Sequence, residues 1–330
     1  MSDYSWSIPQ AQNHPNILFL WLNLKILVAE TGRIRSLTLQ FLSGTYALPS
    51  TTLDVYSRLL KLPNVRMVRI MGLPSLMPPT LDELRVPLES QVEVALPHFR
   101  SCELGEYAHV GRSLHNYLAR VAPNHSLTAQ FWPSAFRTGV TIHFRVQLGN
   151  GNDNSDLATP LSVAIETAFA SSPALLNGFL DALPLDRVHA LHLTHDPDGS
   201  GQVPADPSIL FPLRRLIERL PSVKHFTIER WLPESFKLLI PQADLHSRDP
   251  IPLARLQTID LKEIPMGFTP ASATRESLYR LDILREVLRS WDLPRRFMKN
   301  VHFVDCDITD DEMQELGLNI MVMKDCFRAV

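Results

Sequence analysis

The sequence predicts an α/β protein built as an irregular solenoid, with a parallel sheet on one face and helices on the other. Three observations predict this class. A short apolar phrase recurs along the chain, segments with helical spacing precede its better copies, and Leu-Pro pairs end two of those segments. A unit of one helix and one short strand cannot bury its apolar face alone, so such units are expected to stack.

The recurring phrase has an apolar residue, two variable residues, a second apolar residue, one variable residue and a third apolar residue. Its last two apolar positions lie two apart, as on one face of a strand. Three pairs of neighbouring strong copies are 31, 35 and 33 residues apart, which is typical of stacked repeats, whereas the last pair is 45 residues apart, so the period is irregular. The eight copies place their apolar residues at Ile34, Leu37, Leu39; Val65, Val68, Ile70; Leu81, Leu84, Val86; Phe99, Cys102, Leu104; Val188, Leu191, Leu193; Val223, Phe226, Ile228; Leu256, Ile259, Leu261; and Val301, Val304, Cys306.

Helical spacing of apolar residues occupies 53–62, 207–220 and 278–291. Leu62-Pro63 and Leu220-Pro221 end the first two segments, because proline disfavours helix in the residue before it. Residues 139–148 alternate as an ordinary strand, and a polar stretch rich in Gly and Asn follows them. We therefore expect an N-terminal repeat half at 1–148 with an atypical insert near 105–148, a polar loop at 149–157 and a C-terminal repeat half at 158–330.

Composition excludes several function classes. The 330 residues are 45% hydrophobic and 20% charged, with a net charge of −3, so no basic surplus favours nucleic acid. The 13 glycines disfavour glycine-rich phosphate loops. Three cysteines, Cys102, Cys306 and Cys326, form no CxxC pair, which argues against zinc ribbons and disulfide frameworks. A reducing compartment, cytoplasmic or nuclear, is expected.

The most apolar stretch, 17–29, has 13 residues and carries Asn23 and Lys25. A membrane span needs about 20 residues, and no Lys or Arg precedes Lys25 as a signal peptide requires. We expect a buried element here and no membrane partner.

The segments LPSVKHFTI, LARLQTIDL and LREVLRSW with NVHFVDCDIT resemble the degenerate leucine-rich repeats of fungal F-box-type proteins. The residues that carry the family pattern are Leu284, Arg289, Val301, Val304, Cys306 and Ile308, and the resemblance is strongest over 180–325 and 30–75. It implies a leucine-rich-repeat-like solenoid that acts as a non-catalytic scaffold for protein–protein interaction, as in substrate recognition for a ubiquitin ligase. The family's F-box, Leu-Pro-x-Glu before an apolar helix, is not visible, so a cullin-ligase adaptor is implied as partner only for a longer form.

Residues beside the apolar positions of each phrase are expected to face outward and to bind the partner. Arginines occupy such positions toward the N-terminus and carboxylates toward the C-terminus, so a partner with the opposite gradient would be steered to this surface. The alternative is an ordinary solvated sheet face. The candidate partner-binding residues are Arg69, Arg85, Glu103, His192, Thr227, Glu229, Asp260 and Asp305.

The sequence motifs for metal binding, calcium binding and hydrolysis are all weak. His189, His192 and His195 alternate in direction on a strand, so they cannot converge on a metal. The segment 196–201 opens like a calcium loop but has Pro207 where the twelfth-position glutamate belongs. Residues 111–115 match a nucleophile elbow poorly, and 309–312 fit a helix capping box. No cofactor or metal is expected. The alternative interpretation is an α/β enzyme, such as a hydrolase, whose site the sequence does not reveal.

Overall fold

A computed structural model describes the chain over limited ranges. These are residues 3–8, 34–41, 60–72, 77–87, 89–96, 104–122, 126–136, 139–148, 161–168, 177–183, 185–194, 213–214, 216–231, 236, 253, 255–264, 280, 282–288, 300–306, 308 and 321–325. The chain divides into two compact units. Unit 1 comprises 1–125, 143–148 and 154–184, and unit 2 comprises 126–142, 149–153 and 185–330. The predicted loop boundary at 149–157 lies outside the described residues and stays a prediction.

Twelve strands and two helices are described with full bounds. The strands are β1 (Asp3–Ile8), β2 (Ser36–Phe41), β3 (Met67–Met71), β4 (Gln91–Leu96), β5 (Leu127–Phe136), β6 (Gly139–Leu148), β7 (Leu161–Ala168), β8 (Val188–Thr194), β9 (His225–Glu229), β10 (Thr258–Lys262), β11 (Asn300–Val304) and β12 (Met321–Asp325). The helices are α1 (Met77–Glu83) and α2 (Leu104–Val121), and a short 3-10 helix spans Leu185–Arg187.

Unit 1 contains a parallel sheet in the order β1-β2-β3-β4-β7. Leu37 lies opposite Val68, and Val68 lies opposite Val92. All three side chains are fully buried. Apolar burial in register therefore joins neighbouring strands of this sheet, as the phrase predicts for β2 and β3.

Unit 2 contains a second run of parallel strands in the order β5-β8-β9-β10-β11-β12. Leu191, Phe226, Ile259 and Val301 are opposite one another on successive strands, and each is at most 1% exposed. The prediction of an α/β protein with a parallel sheet is confirmed. Residues 139–148 also form the predicted strand.

The predicted register of the last copy of the phrase is wrong. Val301 and Phe303 are buried, whereas Val304 and Cys306 are half-buried. The sheet decides this, because β11 pairs with β10 so that Val301 opposes Ile259 and Phe303 opposes Leu261. The pattern apolar-x-x-apolar-x-Cys fits the letters of this segment, but its first apolar residue is already the first core position of the strand.

Within the described residues, neither of the two weaker copies of the phrase forms a strand of the sheet. Leu81 lies in α1, and the segment after it makes only an isolated bridge between Lys61 and Arg85. Leu104 begins α2, while Phe99 and Cys102 lie outside the described residues. The sequence pattern failed here because a helix with apolar residues three apart shares part of the spacing of the phrase.

Helical residues precede two strands where the spacing predicts them. Residues 216–218 are helical, and Leu216 and Ile217 among them are buried, as is Leu220 just after them. At 282–288 it is helical with Ile283, Leu284, Val287 and Leu288 buried. The region treated as an atypical insert contains α2, whose buried face includes Tyr107, Val110 and Leu114.

Three successive strands of unit 2 end in the same backbone conformation. The residue that follows β9, β10 and β11 has a positive φ in each case: 60° at Arg230, 50° at Glu263 and 52° at Asp305. The Arg230 amide donates to the carbonyl of Lys262, and the Glu263 amide donates to the carbonyl of Val304, both at 2.9 Å. A left-handed residue is uncommon outside glycine, so its recurrence at one register position shows that the three strands end in the same way.

The corrected register of β11 predicts unequal effects of truncation. Phe303→Ala is expected to cost about 3–5 kcal/mol of unfolding free energy, because it leaves a cavity in the core. Val304→Ala, on the half-buried side, is expected to cost about 1 kcal/mol or less. Denaturant melts of the two variants measure this difference. A larger loss from Val304→Ala would restore the register assigned from the sequence.

Gly111 in α2 allows a second stability test. A Cβ at this position would lie 2.6 Å from the Phe179 carbonyl oxygen and 2.8 Å from the Ala182 Cβ, whereas a Cβ on Gly105 in the same helix meets nothing within 4 Å. Gly→Ala normally stabilises a helix interior by up to about 1 kcal/mol. We expect Gly105→Ala to stabilise and Gly111→Ala to destabilise by about 1–3 kcal/mol through overpacking. If thermal melts showed that both variants change the melting temperature in the same direction, the close approach at Gly111 would be contradicted.

Candidate interaction surface

The outward residues of β8 to β11 form a polar grid, which we call the unit 2 polar face. The strands β9, β10 and β11 contribute alternate residues, β8 contributes His192, and parallel pairing aligns these residues into rows across the strands. All are half-buried. The face comprises His225, Thr258 and Asn300 in the first row, His192, Thr227, Asp260 and His302 in the second, and Glu229, Lys262 and Val304 in the third.

Asp260 is the centre of this face. The Thr227 hydroxyl donates to Asp260 Oδ2 at 3.4 Å, and His302 Nδ1 lies 3.0 Å from Asp260 Oδ1. The Asp260 and His302 side chains are 25% and 23% exposed. The carboxylate therefore lies between a hydroxyl on one neighbouring strand and an imidazole on the other.

His192 and Glu229 form a second contact across β8 and β9. His192 Nε2 lies 2.8 Å from Glu229 Oε2. The hydrogen bond from His192 lowers the pKa of Glu229, and the charges of His192, Arg230 and Lys262 act in the same direction against the opposing effect of burial. Glu229 is therefore held as a carboxylate on the face.

An exposed ion pair borders the face where the strands end. Arg230 Nε donates to Glu263 Oε2 at 2.6 Å, and Arg230 Nη2 donates to Oε1 at 3.0 Å. These residues follow β9 and β10 in the left-handed conformation. Their bidentate contact therefore links the exits of two neighbouring strands.

A similar but smaller polar face lies on unit 1. Arg69 on β3 donates through Nε to Glu93 Oε2 on β4 at 2.7 Å, and Gln91 Nε2 donates to Glu93 Oε1 at 2.9 Å. Arg69 opposes Glu93 directly in the register of the two strands. The positive charge of Arg69 is therefore balanced by a neighbour within the sheet.

The structure brings together some of the predicted site residues. Thr227 contacts Asp260, and His192 contacts Glu229, all four on the unit 2 polar face. Arg69 lies on the outward side of β3, Arg85 follows α1, and exposed Asp305 follows the end of β11. Glu103 lies outside the described residues.

Sequence reasoning missed several residues of these faces, including His302 and Glu93. His302 contacts Asp260, and Glu93 contacts Arg69. His302 was missed because of the wrong register in the last phrase. Glu93 lies in QVEVAL, whose strict alternation over 91–96 is a strand signal that the phrase does not include.

The structure describes only some of the residues in the weak metal, calcium, hydrolase and capping motifs. His189 Nδ1 lies 2.9 Å from the carbonyl oxygen of Arg187. His195, the 196–201 loop and the 309–312 capping box lie outside the described residues. Residues 111–115 lie inside α2, whereas a nucleophile elbow is a turn from strand to helix. Within the described ranges, no cluster of three His, Cys, Asp or Glu residues is placed to hold a metal.

Among the residues the structure covers, no helix is long and apolar enough to cross a membrane. The predicted buried element at 17–29 lies outside that coverage.

Comparison with family models and with curated proteins finds no match for this chain. The class of protein is therefore defined by the fold and the surfaces: an α/β protein whose parallel strands hold ordered polar faces.

The polar face predicts a pH dependence of stability that involves His225. Burial lowers the pKa of His225 below 6.5, with Lys224 and His302 acting in the same direction and Asp260 opposing them. The unfolded chain then binds more protons than the folded chain between the folded pKa and 6.5. Unfolding free energy is expected to fall as the pH is lowered through this window, and His225→Gln should reduce that slope. Denaturant melts across the window measure it, and Thr258→Ala is the neutral control. A slope unchanged in His225→Gln would contradict the assignment.

Proposed function

We propose that this chain is a non-catalytic scaffold for protein–protein interaction, in which repeated strand and helix units form a leucine-rich-repeat-like solenoid. The unit 2 polar face is the surface that binds the partner. One observation carries the proposal: the parallel strands β9 to β11 present outward residues in aligned rows while their alternate residues are buried, and His192 of β8 extends the middle row.

The chemistry of the face supports a polar protein surface as partner. The face offers carboxylates, imidazoles, hydroxyls, an amide and one ammonium group, so donors and acceptors are interspersed. Contacts among Thr227, Asp260 and His302, and between His192 and Glu229, restrict these side chains before binding. Preorganised side chains lose less conformational freedom when a complex forms.

The recurring strand ends support the repeat architecture. Arg230, Glu263 and Asp305 take the same left-handed conformation at the ends of adjacent strands. The strand entries also match, because the Lys224 amide donates to the His189 carbonyl and the Gln257 amide donates to the Lys224 carbonyl, both at 2.8 Å. The resemblance to fungal F-box-type proteins extends the proposal to substrate recognition for a ubiquitin ligase in the cytoplasm or nucleus.

Site-directed photocrosslinking in cells tests the binding face. A benzophenone amino acid at Thr258 and, separately, at Asn300 is expected to give adducts to the same segment of one partner protein. Thr258 on β10 and Asn300 on β11 lie opposite each other in the sheet. Mass spectrometry of the adducts identifies the partner segment.

The control position is Glu286, an exposed residue of the 282–288 helix in the same unit. It is expected to give no adduct to that segment. Lys262→Glu, which alters the charge of the face without replacing a buried residue, should reduce the adduct from Thr258. Equal labelling from Glu286, or adducts from Thr258 and Asn300 to unrelated proteins, would refute the proposed face.

A further inference from the structure

A groove in unit 1 concentrates positive charge beside α1. It has a volume of about 780 Å³, and we call it the basic groove. Its cations are Lys61, Arg85 and Arg120, and its apolar lining includes Pro63, Val86 and Val121. Lys61, Arg85 and Arg120 are exposed, so the groove opens to solvent along its charged side.

Backbone pairing and helix capping fix two of these cations. The Leu62 amide donates to the Arg85 carbonyl and the Arg85 amide donates to the Leu60 carbonyl, both at 2.8 Å, which places Lys61 beside Arg85. Arg85 Nη1 donates to the carbonyl of Asp82 at 2.7 Å and to that of Leu84 at 3.1 Å. The guanidinium is therefore anchored to the last turn of α1.

Arg120 reaches the same turn from α2. Its Nη2 donates to the carbonyls of Leu81 at 2.9 Å and Leu84 at 3.2 Å, and its Nη1 donates to that of Asp82 at 3.1 Å. Two guanidinium groups thus converge on the carbonyl end of one short helix. A helix C-terminus attracts cations, which explains why both can be held there.

The three cations lack a carboxylate partner at ion-pair distance among the described residues. The Asp82 carboxylate instead accepts a hydrogen bond from Ser113 at 3.4 Å. Burial lowers the pKa of Arg120, and the neighbouring charge of Arg85 lowers it further, while Asp82, Tyr117 and Glu83 oppose these effects. Like charges are therefore close together, and an added anion would relieve their repulsion.

Both guanidiniums retain capacity for a ligand. A guanidinium has five N–H donors in a planar fork that suits carboxylates. The contacts to α1 use only Nη1 of Arg85, and they leave Nε of Arg120 outside the cap. The Lys61 ammonium adds a third, flexible donor to the same groove.

We propose that the basic groove binds an acidic peptide segment of a partner protein, with carboxylates at Lys61, Arg85 and Arg120 and an apolar side chain against Val86 and Val121. An open groove with cations along its rim favours an extended segment over a small molecule, because small-molecule pockets enclose most of their ligand. The contribution of charge complementarity is to attract and orient such a segment.

Fluorescence anisotropy with the full chain tests the groove. The probe is a labelled peptide of alternating Glu and Leu, and the reference is the same peptide with Gln in place of Glu. The Glu peptide is expected to bind more tightly, with an affinity that decreases as salt is added. Lys61→Gln should weaken it about two- to fivefold, as expected for loss of one exposed ion pair. Lys61→Glu should weaken it further.

Arg112→Gln is the matched control, because Arg112 is an exposed arginine of α2 that does not line the groove. It changes the net charge equally and should leave the affinity unaltered. Arg85→Lys keeps the positive charge but removes the guanidinium contacts to the end of α1. It should retain part of the affinity for the Glu peptide, which distinguishes the effect of charge on binding from the effect of losing the helix cap. Equal weakening by Lys61→Gln and Arg112→Gln, or equal binding of the Glu and Gln peptides, would overturn the proposal. Binding of inorganic phosphate as tightly as the Glu peptide would overturn the choice of a peptide ligand.

Discussion

Burial of alternate apolar residues in register across parallel strands is the constraint on which the other features depend. In unit 2, Leu191, Phe226, Ile259 and Val301 lie opposite one another and are excluded from water. A slip of one residue would exchange the buried and outward sides of a strand. The core therefore selects one register, and that register assigns every outward residue its neighbours.

The polar contacts follow from this selection. Thr227 and His302 both contact Asp260 because the apolar residues beside them are aligned. The same register brings Arg230 and Glu263 together where two strands end. None of these pairs is close in sequence, so the polar face is ordered by the hydrophobic core beneath it. Half-buried His225 couples that order to proton binding, as its lowered pKa indicates.

Charge is distributed differently on the two surfaces for which partners are proposed. On the unit 2 polar face, carboxylates alternate with histidines and Lys262, so each carboxylate has a basic side chain nearby. In the basic groove, Arg85 and Arg120 meet at the carbonyl end of α1 instead of at a carboxylate. Arg69 and Arg85 have equal formal charge, yet Arg69 is balanced by Glu93 and Arg85 has no such carboxylate among the described residues. In the described part of unit 1, Lys61, Arg85 and Arg120 thus form a cluster of exposed cations beside α1.

The sequence by itself determined the α/β class, the parallel strands and the core residues of most strong copies of the phrase. Alternation and proline stops act within a few residues and mark the single strands and helices, while the repeat of the phrase predicts that the strands pair in parallel. Tertiary structure alone decided that Phe303, and not Val304, is a core residue, since β11 takes its register from β10. It also decided that Arg85 lies with Lys61 and Arg120 in a groove, since residues from distant parts of the chain must first fold together. Lys61 and Arg120 lie outside the recurring phrase, so nothing in their spacing along the sequence indicates that they come together with Arg85.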